Sequence, residues 1–307
     1  MNHLGTGALP LPGYPKNTMT SHAHVIPIIP PCSLFKRVPV VITDELSVRT
    51  IKPEHLGAIL AKDREAGSAL TGQTKCILYS SDDHNPTISE MGSIALAVAF
   101  SLNMFANAGA IYHGACYIMR HTSVCKVGQV YELGSGGESS DRYRIDGSVG
   151  IREIKSVYDG TRKALDRHRK LAIAIRRFNT AMTRNSPEDR IIDLAVCLES
   201  IFDSQTEIAY KFSLYNSFLG STNPTDRMST FKLLKKFYRV RSGLVHGGQE
   251  VSTAWYQEAW PQLLKTAKLS LMSKIAFLAD NNPNQWQDFL DGLVLGTQLP
   301  GEPNGDT

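Results

Sequence analysis

The segment from residue 171 to 202, LAIAIRRFNTAMTRNSPEDRIIDLAVCLESIF, carries two apolar stripes with a helix-start signal between them. The first stripe has the i, i+3, i+4, i+7, i+11 spacing of one helix face. It consists of Leu171, Ala174, Ile175, Phe178 and Met182. Ser186-Pro187-Glu188-Asp189 then supplies a capping serine, a proline suited to the first helical position and two acids near the positive helix end. The second stripe consists of Ile191, Leu194, Ala195, Leu198 and Phe202. Matching stripes predict an antiparallel helix pair.

Further helices are expected after this pair. The third would be capped by Thr206 and end at Gly220, a glycine suited to a left-handed residue just past a helix end. After a loop at Asn223-Pro224, a fourth helix would begin near residues 229–230. It would stop at Gly247-Gly248.

A fifth helix is predicted from about residue 252 to 280, bent or split at Pro261, because proline removes a helical hydrogen bond. Residues 151–282 therefore form an all-α domain. Residues 283–307 are expected to contain a short helix and a disordered tail.

The first half of the chain has mixed signals, which predict an α+β domain of unknown role over residues 24–150. Residues 1–23 are rich in proline and glycine and are expected to form a disordered arm. Short β-rich runs that predict strands lie at residues 38–42, 75–79 and 127–133. Residues 134–141, GSGGESSD, read as a flexible polar loop.

Residues 91–119 carry no formal charge and would be long enough to cross a bilayer. Polar residues such as Asn103 and His113 interrupt the stretch, which argues against a membrane span. We interpret it as a buried helix over residues 89–105 followed by a strand over residues 110–119, and we expect no membrane association.

Composition points to a cytoplasmic protein without a metal or cofactor. The five cysteines are scattered singly, with no spacing that could close a zinc site. The N-terminus lacks a basic region followed by an apolar segment, so secretion is not expected. The glycines at 134–137 lack the strand-to-helix context of a dinucleotide loop, and residues 82–85, DDHN, suit a turn better than a cation site.

One stretch, Arg241-Ser-Gly-Leu-Val-His246-Gly-Gly248, carries residues suited to cutting a phosphodiester without a metal. A guanidinium stays charged and holds phosphate with a rigid fork, and an imidazole gains or loses a proton near neutrality. On a continuous helix Arg239 would share a face with His246, whereas Arg241 would lie about 140° away. Gly243 offers a break in that helix, so both arginines remain candidates for the phosphate.

The approach to this stretch is basic. After Asp226 no acid interrupts the run of cations up to Arg241, although the whole chain carries a formal charge of only +4. A local positive field attracts a polyanion. The candidate RNA-binding residues in this run are Lys232, Lys235 and Lys236.

The sequence here resembles the HEPN domains, and more specifically the ApeA-like HEPN subgroup, over about residues 150–280. The mark of the family is an arginine, four to six residues and then a histidine, which Arg239 and Arg241 both satisfy with His246. Other segments match the subgroup in order: residues 177–182 (RFNTAM), 188–194 (EDRIIDL), 198–202 (LESIF), 210–214 (YKFSL) and 238–248 (YRVRSGLVHGG).

The resemblance implies a helical bundle, usually a homodimer, in which two Arg/His motifs meet across the interface and cut RNA without metal. His246 would act as general base or acid, and Arg241 would hold the scissile phosphate and its developing charge. The products would be a 2′,3′-cyclic phosphate and a 5′-hydroxyl. Many members are toxins or anti-phage effectors, so RNA, a second copy and an antitoxin or defence-system protein are the implied partners.

Active members of the family often carry Asn, Asp or His directly after the arginine, and this chain has Ser242. This difference motivates an alternative, a non-catalytic HEPN module that binds RNA, a nucleotide or a protein partner. Glu199, at the edge of its apolar stripe, could orient Arg241 or His246, or could form an ordinary buried ion pair within the bundle.

Overall fold

The structure is a computed structural model that describes residues 22–29, 40–51, 53–62, 75–81, 86–105, 111–112, 115–120, 123–129, 151–168, 170–202, 207–221, 223–248 and 250–297. Most of these residues are helical, and the remaining regular structure is a β-sheet. The described chain divides into two compact units, with the boundary between Lys155 and Ser156.

The first unit combines an antiparallel sheet with helices α1 (Pro53–Lys62) and α2 (Ile88–Asn103). Its strands are β1 (His22–Ile29), β2 (Val40–Val41), β3 (Leu46–Thr50), β4 (Lys75–Ser81), β5 (Ile111–Tyr112), β6 (Ala115–Arg120) and β7 (Ser123–Gln129). The strand order in the sheet is β2-β3-β4-β1-β6-β7, and β5 also pairs with β1. The strands expected near residues 40 and 75 are present as β2 and β4. Residues 127–129, the start of the strand expected at residues 127–133, form the end of β7.

Strand β1 lies between β4 and β6 and was not expected from the sequence. The expected arm over residues 1–23 lies outside the described residues except at its end, where His22 and Ala23 belong to β1. Pro27 disguises the strand, because a proline usually argues against a central strand. Here Pro27 falls between the stretch that pairs with β6, Ala23–Val25, and the stretch that pairs with β5, Ile28–Ile29.

The uncharged stretch at residues 91–119 divides into a helix and strands. Helix α2 begins with a capping box, in which Thr87 Oγ1 accepts the Glu90 N–H at 3.2 Å and the Glu90 carboxylate accepts the Thr87 N–H at 2.7 Å. In place of one strand over residues 110–119 there are two, β5 and β6, both paired with β1. None of the described helices has the length and apolar character needed to cross a bilayer.

The second unit is a helical bundle, as expected. Its helices are α3 (Ile151–Arg167, whose first turn belongs to the first unit), α4 (Leu171–Thr183), α5 (Pro187–Glu199), α6 (Ile208–Leu219), α7 (Pro224–Gly247), α8 (Thr253–Asp280) and α9 (Trp286–Leu295), with a 3-10 turn at Pro283–Gln285. The interior is built from apolar residues of all these helices.

Helices α4 and α5 form the predicted pair. Every member of the two apolar stripes is buried. Ser186 caps α5 as expected, its Oγ accepting the Asp189 N–H at 3.2 Å. Asp193, only 3% exposed, accepts hydrogen bonds from Arg177 at 2.7 Å and Arg184 at 3.0 Å. A buried carboxylate needs such partners, so this group ties α4 and the following turn to α5.

The expected start of the fourth helix near residues 229–230 is wrong. Helix α7 begins at Pro224, and the Asn223 Oδ1 accepts the Thr225 N–H at 2.8 Å. Asparagine caps a helix as serine does, and proline suits the first turn because its missing N–H would be unpaired there anyway. Asn223-Pro224 is therefore the same signal as Ser186-Pro187 and marks a helix start.

The ends of α6 also differ from expectation. The residue at its N-cap is Glu207, with a left-handed φ of 53°, while Thr206 lies outside the described residues. Gly220 is not left-handed, since its φ is −86°. It allows a close approach instead: a Cβ built there would lie 2.8 Å from Thr266 Cγ2 on α8.

Helix α8 runs unbroken through Pro261, so the expected split does not occur. Near its end Lys274, 1% exposed, donates to the Ile201 carbonyl at 2.6 Å. The Trp286 Nε1–H donates to the same carbonyl at 2.6 Å. These two bonds tie α8 and α9 to the turn after α5.

Replacing Gly220 by alanine should destabilise the bundle by about 1–3 kcal/mol, because the new methyl group overlaps Thr266. Urea unfolding followed by circular dichroism measures the loss. The matched control is Gly160→Ala in α3, where a Cβ would meet Ile275 Cγ2 at an ordinary 3.5 Å and alanine favours the helix. Adding Thr266→Ser, which removes the overlapping methyl, should recover part of the loss. A Gly220→Ala protein as stable as the wild type would contradict the close approach.

Candidate functional site

Helix α7 carries the Arg/His segment and passes through Gly243 without a break. It ends at Gly247, and Gly248 adopts a left-handed φ of 60° with its N–H bonded to the Gly243 carbonyl. At about 100° per residue, a continuous helix places Arg239 and His246 on one face and turns Arg241 about 140° away from His246. Within one copy of the chain, the Arg241–His246 pair therefore does not share a face.

The face that contains His246 is cationic and exposed. We call the residues Lys232, Lys235, Arg239 and His246 the basic stripe, because they lie within about 60° of one another around α7 and all four are exposed. The stripe extends along about 21 Å of helix, from Lys232 to His246. No acidic side chain among the described residues forms an ion pair with these groups.

Arg241 turns away from this stripe and meets the last residue of α5. Its Nη2 lies 3.5 Å from Glu199 Oε2, and the two side chains are only 21% and 22% exposed. The guanidinium carbon also lies 5.8 Å from the centroid of the Tyr238 ring, one turn earlier on α7. Glu199 thus meets Arg241, on a face of α7 that His246 does not share.

The Glu199–Arg241 pair is loosely satisfied. Arg241 Nε and Glu199 Oε1 are both buried without a hydrogen-bond partner among the described residues. Burial raises the pKa of the Glu199 carboxyl, and the charge of Arg241 opposes that shift without cancelling it. Burial also raises the pKa of the Tyr238 hydroxyl, with the nearby Glu199 charge adding to the effect. Burial therefore disfavours the ionised form of Glu199, although the Arg241 guanidinium is adjacent.

The candidate RNA-binding lysines are held next to aromatic rings. The Lys235 ammonium lies 5.6 Å from the centroid of Phe231, and the Lys236 ammonium lies 5.5 Å from the centroid of Trp255 on α8. Lys236 lies about 40–100° around the helix from the four residues of the stripe, and its ammonium is engaged with Trp255, so it flanks the stripe. Ser242, next to Arg241, is half-buried.

These aromatic neighbours were not expected as part of the site. Tyr210 on α6 is 54% exposed and packs edge-on against Phe231, with 5.9 Å between ring centroids. The sequence signal was an aromatic residue three or four positions from a lysine on α7, but Tyr210 and Trp255 come from other helices. Only the packing of α6 and α8 beside α7 brings Tyr210 to Phe231 and Trp255 to Lys236.

A second group of cations lies at residues 162–177, on α3 and α4, and differs from the stripe because some of its members have acidic partners. Lys163 Nζ lies 2.7 Å from Asp280 Oδ1, and Arg177 pairs with Asp193. Cations neutralised in this way attract a polyanion less. Lys163 and Arg177 are therefore less available to an anion than the cations of the basic stripe.

Potential metal ligands do not cluster among the described residues. In the part of the chain that the structure describes, no three histidine, cysteine, aspartate or glutamate side chains lie together as candidate ligands. The DDHN turn at residues 82–85 and the glycine-rich loop at residues 134–141 lie outside the described residues.

Comparisons with protein families, with curated proteins and with solved structures found no significant match to this chain.

Replacing Glu199 by glutamine should change how stability depends on pH. Because the pKa of Glu199 is raised, the folded state ionises this group less readily than the unfolded chain. The free energy of unfolding of the wild type, relative to Glu199→Gln, should therefore fall as the pH rises through the range above 4.5, the ordinary pKa of a glutamate. Urea titrations of both proteins over a pH series measure the difference.

Glu188→Gln is the control with the opposite sign. A hydrogen bond from Ser186 lowers the pKa of Glu188, so the wild type should gain stability relative to this variant as the pH rises through the range below 4.5. Parallel curves for the wild type and Glu199→Gln would contradict the burial of a charged Glu199.

Proposed function

We propose that the helical unit binds RNA along the basic stripe and cleaves it as a metal-independent endoribonuclease. The observation that supports this function is the position of His246, which is exposed on the same helix face as Arg239, Lys232 and Lys235. A group that transfers protons near neutral pH therefore shares a surface with groups that bind phosphate. The resemblance adds a biological setting, a toxin or anti-phage effector with an antitoxin or defence-system partner.

The proposed reaction is transesterification within the RNA. His246 takes the proton of a 2′-hydroxyl, and the 2′-oxygen attacks the adjacent phosphorus while the bond from phosphorus to the 5′-oxygen breaks. The leaving 5′-oxygen takes up a proton from an imidazolium or from water, so that no net proton is gained or lost. The products are a 2′,3′-cyclic phosphate and a 5′-hydroxyl, and an arginine stabilises the negative charge that builds on the phosphate oxygens.

The two arginines have different parts in this proposal. Arg239 binds the phosphate beside His246 of its own copy, because it is exposed on the same face. Arg241 is partly buried against Glu199 on another face, so it serves a second copy of the chain if it contacts RNA at all. A homodimer with a composite site would also provide a second imidazole, one to accept the proton and one to donate it.

The second candidate is a non-catalytic module that binds RNA. The observation that favours it is the engagement of Arg241 with Glu199 and Tyr238, which turns this arginine away from His246. A half-buried Ser242 at the next position adds to this interpretation. The basic stripe would then hold RNA without turnover, so cleavage separates the two candidates.

Purified protein incubated with mixed RNA in EDTA should release fragments that end in a 2′,3′-cyclic phosphate. His246→Ala should lower the rate at least about 100-fold, the low end of what positioned acid–base catalysis contributes. Arg239→Ala and Arg241→Ala, measured in parallel, show which guanidinium supports the reaction. Because His246 and Arg239 are exposed, these two variants should keep the melting temperature of the wild type.

Cleavage that persists unchanged in His246→Ala, purified in the same way, would reject the ribonuclease. Binding without fragments in the wild type would favour the second candidate. Failure to bind RNA at all would reject both.

Lys232 should contribute to the salt dependence of RNA binding, whichever candidate is right. In the His246→Ala background, Lys232→Gln should reduce the slope of log affinity against log salt by about 0.7, the value for one phosphate contact on a single strand. Fluorescence anisotropy at several salt concentrations measures the slope. Lys163→Gln is the matched control, because Lys163 already pairs with Asp280 at 2.7 Å and should leave the slope unchanged. Equal slopes for all three proteins would contradict binding along the stripe.

A further inference from the structure

Tyr210 is an exposed aromatic residue that the proposed reaction does not use. It lies in the first turn of α6 and is 54% exposed, whereas Phe212, two residues later, is fully buried. Tyrosine is enriched at contact surfaces because it combines an apolar ring with a polar hydroxyl. The position of this ring next to α7 indicates what it would contact.

The packing of Tyr210 places it beside the basic stripe. Its ring lies edge-on to Phe231, with centroids 5.9 Å apart and an angle of 80° between the planes. The Lys235 ammonium of the stripe lies 5.6 Å from the centroid of the same Phe231 ring. Phe231 thus contacts both an exposed aromatic ring and a cation of the stripe.

Rings and cations in this arrangement bind unpaired nucleotides. A base stacks on an aromatic face while the adjacent phosphates meet lysines or arginines, and such stacking is tolerant of sequence because every base has a π-face. In a duplex, by contrast, the bases are already stacked on one another, and side chains meet mainly phosphates and 2′-hydroxyls. An exposed ring beside a cationic stripe therefore suits a single strand better than a duplex.

We propose that Tyr210 is a base-stacking residue and that the RNA bound by this unit is single-stranded. One unpaired base stacks on the Tyr210 ring, Lys232 and Lys235 bind the adjacent phosphates, and the strand continues along Arg239 towards His246. This inference rests on the proposed RNA binding, because the stripe supplies most of the affinity. It adds Tyr210 as a residue that contacts an accessible base, whereas the basic stripe contacts only phosphates.

The test compares three RNAs in the His246→Ala background, where no cleavage disturbs binding. They are a single strand of about ten nucleotides, within the usual range of such sites, an abasic strand with the same backbone, and the same sequence as a duplex. Fluorescence anisotropy at fixed salt gives the three dissociation constants. We expect the base-bearing single strand to bind about 5- to 100-fold more tightly than the abasic strand.

Two substitutions separate stacking from simple packing. Tyr210→Phe keeps the aromatic face and should bind all three RNAs within about 2-fold of the parent protein. Tyr210→Leu keeps an apolar contact with Phe231 but has no π-face, so it should lose the preference for the base-bearing strand and bind the abasic strand as before. Melting curves confirm that both variants are folded.

Each result has a distinct meaning. Equal affinity of the parent protein for the base-bearing and abasic strands would overturn the stacking inference while leaving the proposed RNA binding in place. Equal weakening of both strands by Tyr210→Leu, or tighter binding of the duplex, would overturn it as well. If none of the three RNAs binds, the proposed function fails and this inference fails with it.

Discussion

The packing of Phe237 against Phe212 determines which side chains of α7 face outwards. Both rings are fully buried, and they stack with 6.1 Å between their centroids. Phe237 lies about 180° around the helix from the centre of the basic stripe, so burying it turns Lys232, Lys235, Arg239 and His246 away from the core. The same rotation brings Arg241 to the end of α5. The composition of the exposed face and the partner of Arg241 therefore depend on one core contact.

The Glu199–Arg241 pair lies at the border between the core and the exposed face of α7. Its separation of 3.5 Å is long for a charge-assisted hydrogen bond, and burial raises the pKa of the carboxyl despite the adjacent cation. Desolvation costs can exceed the Coulombic gain in such a pair. Glu199 therefore acts on Arg241 as a restraint on position more than as a source of stability. A second copy that brought phosphate to Arg241 would have to compete with a weak contact.

Much of the helical unit could be predicted, because capping and periodicity act locally. Ser186-Pro187 and the two apolar stripes identified α4 and α5, and every residue of the two stripes is buried. The wrong predictions came from local sequence patterns that are compatible with two different structures. Asn223-Pro224 starts a helix although it also suits a loop, and Gly220 accommodates Thr266 rather than a left-handed turn. In β1, Pro27 concealed a strand whose neighbours change along its length.

The residue types of the candidate site and their angular order on a continuous helix follow from the sequence alone, since 3.6 residues per turn relates Arg239, Arg241 and His246 without any tertiary contact. Whether Gly243 would interrupt that order, and which face would be exposed, depended on the packing of α7 against α5 and α6. Tertiary structure alone also placed Glu199 against Arg241 and Tyr210 beside Phe231. The two residues of each pair lie on different helices. The burial of apolar helix faces brings them together, and no spacing along the chain could predict the contact.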